Sequence, residues 1–495
     1  ERKRVYRISA PGYPFEKTRS WIDFKKKKQR KEYETVVATT RDTQEDIAFV
    51  KVVGEHLERE SQTTLQIAKI WGYYLGYESI KLQADYFQLG GDSIQALKII
   101  NAVNETFQIN VDVADLLKNP SIQEFSKIVS LKKSQYNKIT RISSSEYYDL
   151  SAAQRRIFFA CMFDSENVRY NLTNAVIING RIDVKRLEKA IREIVNRHEI
   201  LRTSYHLVDG LPKMKIHENI NMDIACEKLE NKEVLEKLEE FRQPFHLDEA
   251  PLMRIKLVRI AKDKLYLFYD VHHILFDSFS FGVILNELVA LYKGEYLPEL
   301  KIQYKDYAAW HNLQLTSEKL KLQEDYWIST LKEKLSYSIL MPSRSCASKS
   351  NYHSDSIWFH IKSEETEKLK SITIQTDTTL FMLLLAVLGV ELSKYLEQED
   401  VLIGSPIAGR NHPDTESLIG DFINLIAIRV EADEDSDFLS VLCKVKENCI
   451  HAYENQEYPF QNLLKKLDVK LDNENALFNV LFAFHSNLKS SYIGT

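Results

Sequence analysis

The sequence predicts an α + α/β chain, a small helical bundle followed by a larger unit in which strands and helices alternate. Three observations predict it. Apolar residues recur at helical spacing in three stretches between residues 61 and 132, and a polar stretch at 133–146 follows them. Farther on, two β-like runs at 252–260 and 264–269, joined by the turn Ala261-Lys262-Asp263, lead into another helical stripe.

The composition bounds the function. At 495 residues the chain is about three domains long, and a 44% hydrophobic content allows large cores. The net charge of −5, from 66 basic and 71 acidic residues, gives no whole-chain attraction to nucleic acid. The five cysteines (Cys161, Cys226, Cys346, Cys443 and Cys449) lack metal-ligand spacing and are expected as reduced thiols in a cytoplasm, with neither zinc nor a disulfide framework. The longest apolar run, 380–390, falls short of the ~20 residues that cross a bilayer and is expected to be a buried helix, so no membrane is implied. Glu1-Arg2-Lys3-Arg4 lacks the apolar core of a signal peptide, and a start without methionine reads as a piece of something larger.

In order, residues 1–30 form a linker. Pro11-Gly12-Tyr13-Pro14-Phe15-Glu16 and then Trp21-Ile22 resist a helix and suggest an extended strap. Lys25 to Lys28 with Arg30 and Lys31 are basic, but no aromatic platform is interleaved with them, which favours a solvated linker over a nucleic-acid contact. Residues 32–60 carry no clear pattern. Leu65, Ala68, Ile70, Trp71 and Leu75 then make an amphipathic helix closed by Gly76. Ala96, Leu97, Ile99, Ile100 and Val103 begin a second, and a third follows Pro120 and ends near Leu131. The bundle, roughly 70 residues, is small but able to fold alone. At the start of its second helix, Gly90 and Gly91 relax the backbone, Asp92 can cap, and the Ser93 hydroxyl stands at the helix start. Taken bare, this stretch is most often only a helix N-cap.

After the linker at 133–146, Ser151-Ala152-Ala153-Gln154-Arg155-Arg156 precedes a helix start, and Leu187, Ile191, Ile194, Val195 and His198 form a further stripe. Val271-His272-His273-Ile274-Leu275-Phe276-Asp277-Ser278 then lies between the second β-like run and the stripe Phe279, Val283, Leu285, Leu288, Val289 and Tyr292. Adjacent histidines on extended backbone point to opposite sides, so one can face a cleft while the other packs. Asp277 can return on the turn and pin the loop. From these residues alone a core histidine with a helix-capping acid, a metal pair and a catalytic imidazole all stay open.

The rest of the pattern adds a resemblance. Asp85-Tyr86-Phe87-Gln88-Leu89-Gly90-Gly91-Asp92-Ser93-Ile94, followed by further helices, resembles the signature of an acyl or peptidyl carrier domain over residues 61–132. It implies 4′-phosphopantetheine on Ser93, beside Asp92, installed by a phosphopantetheinyl transferase and holding an acyl group as a thioester. From about Tyr147 to the end, the chain resembles the condensation domains of nonribosomal peptide synthetases. The matching stretches are Ser151 to Arg156, Arg197 to Thr203, His272-His273 with Asp277, Tyr304 to Trp310, Gly404 to Arg410, Ile419 to Asn424 and Asn455 to Phe460. That family implies two lobes similar to chloramphenicol acetyltransferase, at 147–315 and 316–495, with a tunnel between them and a carrier docking at each mouth.

The same resemblance implies site roles. His273 is the catalytic candidate, as general base or positioning group; His272 packs and fixes the loop; Asp277 forms a structural salt bridge, with Arg410 the first candidate partner and Arg202 the second. No metal is implied. Residues 8–22 resemble the linker that follows a ketosynthase–acyltransferase pair in polyketide synthases. Together these imply amide-bond formation between an acyl or ketide thioester on Ser93 and the amine of a downstream aminoacyl thioester. The implied partners are an upstream ketosynthase/acyltransferase or other loading module, and a downstream adenylation domain with its aminoacyl carrier. Three departures stand out: Ser278 replaces the usual glycine and suggests a reshaped loop, Asp472 to Phe478 lacks the family's arginines, and the chain stops early. An epimerization domain shares the histidine loop, but Phe279-Ser280-Phe281 lacks the tryptophan and arginine expected there. A catalytically silent docking platform is the other rival.

Overall fold

The computed structural model describes residues 47–54, 57–132, 138–162, 168–230, 233–332, 357–433, 435–467, 477–478 and 480–484. The proline strap, the basic run, Cys346 and residues 472–476 lie outside the described residues.

The first stripe becomes the helix Gln62–Leu75. Ser61 caps its start by accepting the Thr64 N–H, and Gly76 ends it at φ 80°, where a side chain would be strained. Trp71, fully buried, meets the Tyr86 and Phe125 rings at 5.5 and 6.0 Å and centres the bundle. The helices Ser93–Phe107 and Ile122–Leu131 complete the three expected elements. A fourth, Val113–Lys118, is present as well. At six residues it is too short to show a stripe, but Asp112 caps it and Val113, Ala114, Leu116 and Leu117 are all buried. The unassigned region before the bundle contributes β1 (Lys51–Val53), parallel to β2 (Ser79–Lys81).

The expected polar linker is docked at its end. Ile139 is buried, the Ile142 N–H donates to Asp306 at 2.9 Å, and Arg141 Nε donates to the Lys301 carbonyl at 2.9 Å. Ile139 and the partly buried Ile142 pack on the core here and, with these hydrogen bonds, hold that segment down.

Beyond it, β3 (Tyr148–Asp149), β5 (Thr203–Val208) and β6 (Leu211–Ile216) form one sheet in the order β3-β6-β5. A second has the order β4-β9-β8-β7, from β4 (Asn171–Asn179), β7 (Ala225–Lys228), β8 (Met253–Ala261) and β9 (Lys264–His272). The helices Val184–Arg197 and Ser278–Lys293 pack on this region through Leu187, Ile191, Ile194 and Leu288. Strand β9 extends past Tyr269 because both flanks are paired: Asn171 lies opposite His272 and Met253 opposite Val271. His272 therefore closes a strand rather than starting a loop.

Farther along, β10 (Asp400–Ile407) and β11 (Asn424–Glu431) pair antiparallel, with the helices Leu380–Leu396 and Phe438–Glu454 in the same core. Gly389 has room only for hydrogen, since a Cβ there would lie 2.4 Å from Val430. The tail returns beside β10, where the Gly404 N–H donates to the Val480 carbonyl and the Phe482 N–H donates to the Gly404 carbonyl. Among the described residues, no single helix is long and apolar enough to cross a membrane.

Candidate active site

His272 and His273 part at the end of β9 as extended backbone dictates. The His272 ring is 2% exposed, between the Tyr170 and Phe245 rings. Its Nδ1 accepts the Ile274 N–H at 3.2 Å, so Nε2 carries the proton and faces the Cys161 sulfur at 3.6 Å. Burial, and secondarily the neighbouring His273, pushes this imidazole down to about 3, and it stays neutral. His273 begins a 3-10 turn, held by its N–H on the Tyr170 carbonyl at 2.8 Å. Its side chain is 25% exposed while Nδ1 is buried, so the opposite edge of the ring is the accessible one.

Asp277 ends the turn and caps the helix Ser278–Lys293, accepting the N–H and hydroxyl of Ser280 at 2.7 Å. Arg410 Nη2 meets the same carboxylate at 3.1 and 3.2 Å, and its Nη1 donates to the carbonyls of Thr415 and Leu418. The guanidinium lies 4.0 Å from the Phe422 ring centre. Both side chains are 1% exposed, and the geometry explains how a buried charge is tolerated here: both terminal nitrogens of the guanidinium are hydrogen-bonded, although Nε is not. Arg202 plays no part in this. It is the last residue of the 3-10 turn Glu199–Arg202, just before β5, and its guanidinium donates to the carbonyls of His217 and Asn196. Ser278 is exposed at the first helical position and is not among the positive-φ residues, so the position imposes no glycine conformation.

The Ser-Ala-Ala-Gln-Arg-Arg segment buttresses the loop. Ser151 and Gln154 cap the helix Ala152–Met162 reciprocally, and Gln154 Nε2 reaches the Tyr205 hydroxyl at 2.8 Å and the Ile274 carbonyl at 3.4 Å. Arg156 points elsewhere, to Asp421 Oδ2 at 3.7 Å. Asp421 is fully buried, with Oδ1 3.8 Å from His273 Nδ1. Burial pushes its carboxyl up to about 6; His273 and Arg156 pull against that, and Asp277 adds to it. Neither Asp421 nor Arg156 stood out in the sequence as a site residue. The available signal was a charge inside the apolar run Leu418-Ile419-Gly420-Asp421-Phe422-Ile423.

Ser93 is the first residue of a 15-residue helix whose N-cap, Asp92, accepts the Ile94 and Gln95 N–H groups at 2.9 Å. Gly90 has φ 76°, and a Cβ on Gly91 would lie 2.3 Å from the Tyr86 ring, so both glycines of the signature are required. The Ser93 hydroxyl stands 3.4 Å from the Tyr453 hydroxyl, in a crevice also lined by Ile407, Gly409, Asn411 and Gln456. The last three also line a second, abutting crevice, whose other lining residues include Phe422 and Arg156. The position would suit a phosphodiester, since the N-terminus of a 15-residue helix favours an anion. Asn101, on the same helix, donates to the Arg410 carbonyl at 3.1 Å and to Glu416 at 2.8 Å. Lys301 bridges to Glu105, and Lys118 to Glu454. Among the described residues no cluster of three or more His, Cys, Asp or Glu could hold a metal.

Comparison with known proteins covers both regions. A family model described as a condensation domain matches residues 144–493, and one described as a phosphopantetheine attachment site matches 66–129. Gramicidin S synthase 2 of Aneurinibacillus migulanus is 36% identical over 431 residues, 87% of this chain and 10% of that protein. Bacitracin synthase 3 of Bacillus licheniformis is 36% identical over 428 residues, 86% of this chain and 7% of that protein. The chain thus spans a tenth or less of these relatives. Among solved structures, the X-domain from teicoplanin biosynthesis superposes with a TM-score of 0.64 at 22% identity, covering 70% of this chain and 79% of that one. The condensation domain of the Monacolin K polyketide synthase MokA gives 0.62 at 19%, covering 72% and 84%. These last two share the fold.

Proposed function

The chain belongs to the condensation-domain family and carries a phosphopantetheine attachment site ahead of that region, and we propose from this that it joins an acyl group held at Ser93 to the amine of an aminoacyl thioester, forming an amide. The observation that carries the reading is that two crevices abut. One starts at Ser93, the other reaches Arg156, and Gly409, Asn411 and Gln456 line both. Arg156 adjoins Asp421, which adjoins His273.

When attached at Ser93, phosphopantetheine supplies a thiol that presents the acyl group as an activated thioester. The protein then has to bring amine and carbonyl together, worth up to ~7–11 kcal/mol in favourable cases. His273, through the exposed edge of its ring, takes the proton the amine sheds, a role typically worth ~10²–10⁴-fold. His272, neutral and buried, holds the strand end, while Asp277 and Arg410 hold the start of the next helix. The sequence of residues 8–22 supports a polyketide-derived donor, delivered by an upstream ketosynthase/acyltransferase. The acceptor then comes from a downstream adenylation domain and its carrier. The domain limits 61–132, 147–315 and 316–495 belong to the same reading.

Intact-protein mass spectrometry of the acyl-loaded chain, offered an aminoacyl carrier, tests it. Transfer of the acyl group to the acceptor is the expected result. Unchanged mass with solvent deuterium entering the α-carbon would identify an epimerase, and no change at all a docking platform.

A further inference from the structure

Two buried polar groups confront each other behind the accessible edge of His273. His273 Nδ1 has no hydrogen-bond partner, and 3.8 Å away lies the Asp421 carboxylate, fully buried, whose Oδ2 is also without one. Leaving such atoms unsatisfied costs ~1–3 kcal/mol each, so a native structure that keeps them invites a reason. The backbone around Asp421 is over-determined. Tyr304 donates its hydroxyl to the Asp421 carbonyl, and the Ile423 N–H donates to Oδ1 at 3.2 Å. A Cβ on Gly409 would lie 1.9 Å from the Phe422 carbonyl oxygen, and one on Gly420 2.0 Å from the Tyr304 ring. The carboxylate is held where it is.

We propose that Asp421 is a positioning residue for His273, holding the proton on Nδ1 so that an unprotonated Nε2 is presented to the attacking amine. This rests on the amide-forming reading above. Closing the gap from 3.8 Å to a charge-assisted hydrogen bond of ~2.7–2.9 Å needs a movement of about 1 Å. Catalytic hydrogen bonds are often long before substrate binds and tighten in its presence. The groups facing the carboxylate are His273, Arg156 and Asp277, with the buried phenols of Tyr205, Tyr304 and Tyr307 around it. Arg156, at 3.7 Å, helps keep it ionised. A carboxyl pushed up to about 6 is charged at neutral pH and still basic enough to steady an imidazolium.

In the step itself the amine nitrogen forms the N–C bond to the thioester carbon, and Nε2 takes the proton the nitrogen sheds. As the C–S bond breaks, His273 returns that proton to the departing sulfur. Asp421 stays ionised throughout, its role being to fix the ring's tautomer and charge.

The test compares single-turnover amide formation by the full chain and its Asp421→Asn, His273→Ala and doubly substituted forms across pH, with folding checked by Tm. Asp421→Asn should slow the reaction at least about tenfold and move the acid limb of the pH profile to lower pH, because a neutral amide no longer favours imidazolium. In the His273→Ala background the same change should cost less than about twofold. If His273→Ala slows the reaction and Asp421→Asn does not, or if the two losses multiply, the inference is overturned and the amide-forming reading stands. A wild-type chain that forms no amide overturns both. Should Asp421→Asn fail to fold, ¹⁵N shifts of His273 in the wild-type chain decide: a proton on Nδ1 supports the inference, a proton on Nε2 overturns it.

Discussion

The Asp277 carboxylate and the Arg410 guanidinium lie 3.1 Å apart, each side chain 1% exposed, and tie a helix cap to a loop 133 residues away. Removing either partner strands a buried charge, at a typical cost of ~3–5 kcal/mol. Asp277→Ala should therefore lower the unfolding free energy by about that amount, read from urea denaturation. Loss of activity in this variant would follow loss of structure. A variant within ~1 kcal/mol of wild type would show that the pair does not hold the loop.

Ser93→Ala removes the hydroxyl at the helix start and leaves the Asp92 cap intact. Incubation with a phosphopantetheinyl transferase and coenzyme A should then add no mass, while wild type gains one phosphopantetheine. A gain in the variant places the attachment elsewhere.

His273→Ala should leave that loading unchanged and slow amide formation at least about tenfold. Equal rates in a single-turnover assay would remove the base role from His273.

Two groups near the site give opposite pH signatures. His272 is pushed down from 6.5 to about 3, so between those values the unfolded chain binds the extra proton, and its stability contribution is lost as pH falls below about 6.5. Asp421 is pushed up from 3.8 to about 6, so there the folded chain binds the extra proton, and stability is lost as pH rises toward about 6. His272→Leu should flatten the acid loss of stability between pH 7 and pH 5 in denaturant titrations, and Asp421→Asn should steepen it. Parallel curves for all three proteins would contradict both shifts.

Much of this architecture is legible in the sequence because it is written in local patterns. The stripe from Leu65 to Leu75 with Gly76 after it gives a helix and its end, and Gly90-Gly91-Asp92-Ser93 gives a cap whose geometry the structure repeats. Short elements escape: Lys51–Val53 is too brief to show alternation, and Val113–Lys118 too brief for a helical period. The Asp277–Arg410 pair joins segments far apart in the chain, and only the family resemblance suggests it. Asp421 escapes for a different reason. Its meaning depends on Arg156 and His273, which come from two other segments, and a single acid between apolar residues gives no hint of either.

Asn101 touches Arg410 only at the main-chain oxygen, whereas the guanidinium is clamped by Asp277, Ser280, Thr415 and Leu418. If the helix Ser93–Phe107 lifted away, as the proposed reaction would require of a carrier, it would forfeit one bond to this residue and leave the clamp whole. The histidine turn would then not have to be rebuilt at each delivery.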